Sequence, residues 1–189
     1  SIYIHTHLDT PYGIRRLLGG GMWHYRPETR RSEVFMKGLV NPWGHVFDEW
    51  GQSFMTDGAG GHGINFVYPR SVFVASPGAR RKLQGLNPGQ PKLCGLEVLS
   101  GSHVPDDLRG VLAAPDFRGH RIKTYRLSDK GSAYQSRVGK DLVASKHGAF
   151  RPMLRHPERR HARAAPQLQH GERARRWLLL LLLLLLLLL

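Results

Sequence analysis

The sequence predicts an all-β fold, and three observations carry that prediction. Apolar residues over 1–150 come in short runs rather than at helical spacing. Those runs are bounded by Gly, Pro, Asn and Asp, and the chain holds 22 glycines and 12 prolines in 189 residues. A hydrophobic fraction of 41% at this length is enough for a real core.

In chain order the expected strands are "SIYIHTH" (1–7), "GGMWHYRP" (20–27), "SEVFMKG" (32–38), "WGHVFDEW" (43–50), "QSFMTD" (52–57) and "INFVYP" (64–69). They continue with "CGLEVLSG" (94–101), "GVLAAPD" (110–116), "IKTYRLS" (122–128) and "DLVASK" (141–146). Along 52–57 the alternation puts Ser53, Met55 and Asp57 on one face and Phe54 and Thr56 on the other. Asn41-Pro42-x-Gly44 turns the chain into an inner strand on which Trp43, His45 and Phe47 alternate, so that His45 points into the core or a central channel. "DEWG" closes the hairpin, and the loop from Gly58 is expected to reach over the channel mouth. Cys94, in the apolar "KLCGLEV", reads as a buried small residue on a strand.

A weak repeat sharpens the fold class. "QSFMTDGAGG" and "GVLAAPDFRG" each run from a glycine turn through a small apolar strand to an aspartate and a glycine-containing loop, with Asp57 and Asp116 59 residues apart. "SIYIHTH" fits as an earlier copy. A period of about 40–60 residues with several strands per unit is that of a propeller blade. The expectation is therefore a fragment of a β-propeller, about two and a half blades, over 1–152, with a non-propeller tail over 153–189.

That tail is rich in Arg, His, Ala, Gln and Pro and ends in a leucine run over 178–189. Twelve helical residues span about 18 Å, short of a hydrocarbon core near 30 Å. The abrupt change of composition marks 153–189 as frameshifted or non-native, and a membrane contact is expected only if the leucine run is genuine. The net charge of +14 owes eight arginines and two glutamates to 151–189. Elsewhere the charges are scattered in short groups such as Arg15-Arg16, Arg30-Arg31 and Arg80-Arg81-Lys82, read as solvated surface, so no nucleic-acid partner is expected. The single cysteine excludes an internal disulfide framework, and without CxxCH the chain carries no haem attachment of its own. No signal peptide precedes Ser1, so the sequence reads as an internal fragment.

Three local patterns bear on chemistry. "HTHLD" places His5 and His7 on one side of a strand with Asp9 following, a candidate metal set. It resembles the HxHxDH signature of metallo-β-lactamase-fold zinc hydrolases, although Thr10 stands where that signature has a histidine. "DGAGGHG" (57–63) lacks the Gly-Lys-Ser/Thr ending of a phosphate loop. Its glycines suit a loop close to a ligand, over which Asp57, His62 and Asn65 would converge.

Residues 2–66, 85–137 and 146–152, and above all the block NPWGHVFDxWGQSFxTDGAG at 41–60, resemble the propeller domain of large bacterial membrane-bound dehydrogenases. Those proteins look like relatives of the soluble glucose/sorbosone dehydrogenases. The resemblance implies a multi-bladed propeller, often fused to helical repeats and a cytochrome c module carrying haem c. Export to the periplasm and quinone-dependent oxidation of a sugar or alcohol are also implied, with pyrroloquinoline quinone and calcium as cofactors of an intact parent. After "FRPM" it implies a further strand pair, where this sequence enters its arginine-rich tail.

In that setting His45, Asp57 and His62 are the candidate catalytic residues, and Asn41, Asn65, Asp116 and Arg118 the candidate ligand contacts. The alternatives are a non-catalytic propeller that binds a glycan or protein, and a zinc hydrolase built on His5, His7 and Asp9. An unclosed propeller exposes strand edges, so the chain alone is expected to be poorly soluble and inactive, with 153–189 disordered or an isolated helix.

Overall fold

The computed structural model describes residues 5–89 and 92–146, and these are all-β with no helix. The strands are β1 (His5–Leu8), β2 (Arg15–Leu18), β3 (Gly20–Arg26), β4 (Arg31–Leu39), β5 (Pro42–Phe47) and β6 (Ser53–Asp57), followed by β7 (Ile64–Val67), β8 (Ser71–Val72), β9 (Glu97–Val98), β10 (Leu112–Asp116), β11 (Arg121–Lys130) and β12 (Ala133–Ala144). They form four sheets, ordered β1–β2, β3–β4–β8, β5–β6–β7 and β9–β10–β11–β12. All pairings are antiparallel except β4 with β8. The expectations for 153–189 lie outside the described residues.

The central sheet, β5–β6–β7, is covered on both faces. Phe54 and Ile64 pack with Leu93, Leu96, Leu112, Ala114 and Tyr125 on one side. Met55 and Val67 pack with Met36, Leu39 and Phe73 on the other. The two faces separate by odd and even position, as strand period requires, and both are buried because a sheet lies against each. That is why all of β6 is buried, polar Ser53, Thr56 and Asp57 included. Each large apolar side chain so buried contributes about 1.5–3 kcal/mol. Sheets stacked face to face in chain order are the layering of successive propeller blades.

The repeat holds between two sheets. In each, a first strand at the edge (β5, β9) pairs with a fully buried second strand (β6, β10) that ends in aspartate, and the third strand (β7, β11) follows. The expected earlier copy is less complete. β1 pairs with β2, but Asp9 after it is exposed, and the long β3–β4 hairpin that follows has no counterpart in the repeat.

β2 and β8 are not among the expected strands, and two others differ from expectation for physical reasons. β12 begins at Ala133, well before "DLVASK", and is polar because it is the outermost strand, mostly exposed along its length. Conversely, "CGLEVLSG" supplies only β9, Glu97–Val98, and Cys94 is buried but not on a strand. Residues 92–96 instead form a strap between two blades. The Cys94 N–H donates to Pro115 O (2.9 Å), the Thr56 hydroxyl donates to Cys94 O, and the Phe117 N–H donates to Lys92 O (2.9 Å). The strap passes so close to β5 that a Cβ on Gly44 would overlap the Leu96 backbone nitrogen.

Candidate functional site

The repeated aspartates define the loop ends of the two blades. Asp57 has no exposed surface. Its Oδ2 accepts the Val40 N–H (2.8 Å), and its Oδ1 accepts the N–H groups of Asn41 (2.8 Å) and Ala59 (3.1 Å). The Gly58 N–H donates to Asn41 O at 2.8 Å. The loop therefore folds back onto the start of β5 instead of reaching over a channel mouth, because the carboxylate gathers amides from both segments. Asp116 is equally buried; its Oδ1 accepts the Gly119 N–H (2.9 Å), and its Oδ2 accepts from Arg121 Nε (3.3 Å). Three residues after each aspartate is a glycine, Gly60 or Gly119, at which a Cβ would overlap that aspartate's Oδ2. Arg121 also reaches Asp141 on β12 at 3.4 Å, and its hydrogen bond to Asp116 raises its pKa above the ordinary value.

Where the two loops meet the strap lies a cleft of about 70 Å³, lined by Asn41, Trp43, Gly58, Lys92, Cys94 and Phe117. Sequence reasoning had Asn41 here but missed Lys92 and Phe117. Phe117 carried a signal, since it follows Asp116 as Gly58 follows Asp57. Arg118, beside Phe117, is exposed.

The remaining candidates are divided between two places. His45 lies in one cross-strand row with Met55 and Asn65. Half-buried, its Nε2 is 2.7 Å from Ser53 Oγ and its ring meets Phe47 edge-on at 4.6 Å. Burial lowers its pKa from the ordinary 6.5, which favours the neutral imidazole at neutral pH. Beyond Asn65, His62 and Asn65 flank Gly85, where a Cβ would lie 2.6 Å from His62 Cβ and 2.8 Å from Asn65 Oδ1. Asn65 Nδ2 donates to Met55 O (3.2 Å) and Gly63 O (3.3 Å). Next to them, the Asn87 N–H donates to His62 O (3.2 Å), and Asn87 Nδ2 to Ser136 O (3.1 Å). Asp57 takes no part in this polar seam, since its hydrogen bonds run to Val40, Asn41 and Ala59.

His5 and His7 occupy alternate positions of β1, and Asp9 follows its end, exposed. Among the described residues no group of three or more His, Cys, Asp or Glu could hold a metal ion. A larger cavity, also missed from sequence, opens between the tips of the β1–β2 and β3–β4 hairpins and is rich in arginine.

No family model matches the chain, and no curated protein matches its sequence. Among solved structures, it is similar to a Thermus thermophilus protein provisionally assigned as an oxidoreductase (glucose dehydrogenase). The TM-score is 0.51 at 22% identity, over 73% of this chain and 43% of that one. The chain thus spans less than half the length of that neighbour, and the likeness speaks for the fold.

Proposed function

We propose that the chain is part of a dehydrogenase-like β-propeller, in which the loop ends of successive blades face a sugar or alcohol substrate and a quinone is the electron acceptor. The supporting observation is the blade repeat itself, together with the fold likeness to a solved structure provisionally assigned as a glucose dehydrogenase. In this reading the parent is exported, and its electrons pass to a cytochrome c module.

The described residues do not fit pyrroloquinoline quinone and calcium at this face. The cleft of about 70 Å³ lies well below the roughly 300–1,000 Å³ of small-molecule sites. The Asp57 and Asp116 carboxylates, the natural oxygen ligands for calcium, are turned to backbone amides and Arg121. In this reading, both aspartates are therefore scaffold, and cofactor contacts belong to residues beyond those described. His45, a candidate proton acceptor by residue type, lies outside the cleft lining, with its Nε2 at 2.7 Å from Ser53 Oγ. Asn41 and Lys92 are the polar groups offered to a ligand at the cleft.

The test is titration of the chain, and of the full product of its gene, with pyrroloquinoline quinone in the presence and absence of Ca²⁺, alongside sugar-dependent dye reduction. Saturable, Ca²⁺-dependent quinone binding with dye reduction by the full product is the expected result. No quinone binding by either protein overturns the reading.

A second reading, a propeller that binds glycan without catalysis, draws on the aromatic side chains left exposed along β5 and its turn. Trp43 is 44%, Phe47 61% and Trp50 78% exposed. Such rings can stack on sugar faces. Glycan-array binding that persists without quinone and falls on Trp43→Ala or Trp50→Ala would favour it.

A further inference from the structure

We propose that the cavity between the β1–β2 and β3–β4 hairpin tips binds a small molecule through a phosphoryl or carboxylate head. The proposal is independent of the quinone reading. The cavity measures about 580 Å³, and its walls include Tyr12, Arg15, Arg26, Arg31 and Glu33. That volume is in the range of small-molecule sites.

Charge is the first argument. Three guanidiniums border the cavity, and none makes a salt bridge with a carboxylate among the described residues. Glu33, the carboxylate on the wall, is held by His24 at 3.1 Å, and that hydrogen bond lowers its pKa. Moreover, Arg26 and Arg31 stand directly opposite one another in the β3–β4 register. Like charges so placed destabilise a hairpin, and the one carboxylate beside them, Glu33, is diagonal to Arg26, whose charge also helps lower the Glu33 pKa. All three arginines are exposed, and the hairpin register sets two of them face to face beside the third, three cations against one carboxylate.

Rigidity is the second. The Arg31 guanidinium lies over the Tyr12 ring at 5.2 Å, which leaves its N–H edges free to fork onto an oxyanion. Tyr12 is fixed in turn, because its hydroxyl donates to Thr29 O (2.8 Å) on the other hairpin tip. Its own turn is closed by Thr10, whose hydroxyl donates to Gly13 O (2.7 Å) and accepts the Tyr12 N–H (3.1 Å). The two tips are thus tied together before any ligand arrives, so little ordering is left to be done on binding.

Calorimetric titration of the 189-residue chain at low ionic strength, with inorganic phosphate, glucose 6-phosphate and gluconate as probes, tests this. Saturable binding of at least one probe is expected, weakening as salt is added. Glucose 6-phosphate without gluconate would assign a phosphoryl head, and the reverse a carboxylate. The double variant Arg26→Gln/Arg31→Gln should lose at least tenfold in affinity and, with the like-charge pair gone, unfold at a temperature no lower than the parent. Arg80→Gln/Arg81→Gln, outside the cavity, should bind as the parent does. Equal affinity in both variants, or no saturable binding of any probe, would overturn the proposal.

Discussion

Asp57 and Asp116 stand at the same place in successive blades, each ending a fully buried second strand and each with a glycine pressed against it three residues later. Their partners differ. Asp57 gathers Val40 and Asn41, the connection from the preceding sheet, together with its own loop at Ala59. Asp116 binds within its own hairpin, to Gly119 and Arg121, and through Arg121 is linked to Asp141 on the outer strand. One aspartate joins blade to blade and the other stiffens a single blade. The same short motif can therefore serve two levels of architecture.

Removing each carboxylate in turn separates the two roles most directly. Asp57→Ala leaves no carboxylate to accept the Val40, Asn41 and Ala59 amides, two of them half-buried, and should cost about 3–5 kcal/mol, read from the urea midpoint. Asp116→Ala strands fewer groups, since Arg121 can turn to water, and should cost about 2–3 kcal/mol. If Asp116→Ala proves the costlier, the division of labour described here is wrong. Hydrogen exchange sharpens it further: the Val40 and Asn41 amides should lose protection in Asp57→Ala but keep it in Asp116→Ala.

The glycines come next. Gly60→Ala and Gly119→Ala each drive a methyl into the neighbouring carboxylate and should destabilise by about 1–3 kcal/mol. Thermal melts of the two variants should agree if the motif is geometrically the same in both blades. Thr56→Val removes the hydroxyl that donates to Cys94 O and accepts the Gly44 N–H (2.8 Å), and should cost about 1–2 kcal/mol. Its counterpart Pro115 serves the strap through backbone alone, so no side-chain change there reproduces the loss by that route.

The smallest effect concerns His45. Its folded pKa lies below the ordinary 6.5 because burial disfavours the imidazolium, so the unfolded chain binds the proton more readily. Stability from this source is complete above 6.5 and falls as pH drops from there through the folded pKa. His45→Gln should flatten that acid limb in pH-dependent urea melts while leaving the plateau near pH 8 within about 1 kcal/mol. An unchanged slope would mean that His45 is not the group responsible.

Much of this was legible in the sequence. The strand–Asp–x–x–Gly pattern was visible at 53–60 and 112–119, and period two alone separated Phe54 from Met55 into different packing faces. What could not be read was direction. A carboxylate beside glycines looks the same whether it faces a ligand or folds its loop onto backbone amides, so Asp57 stood as a candidate for chemistry. "KLCGLEV" has a strand's composition, yet its hydrogen bonds go singly to Thr56, Pro115 and Phe117, a pattern set by two blades far apart in the chain. Arg26 and Arg31 looked like scattered surface charge because only the hairpin register sets them face to face.

The strap over 92–96 has a consequence for how the chain reaches this state. It can seat only when the ends of both β6 and β10 exist, and the Thr56–Cys94 bond alone spans 38 residues. Hairpins form in microseconds, whereas contacts of such separation wait on loop closure. The strap should therefore dock last. In pulse-labelled refolding the Cys94 and Phe117 amides should gain protection together, after those of the β6–β7 and β10–β11 ladders.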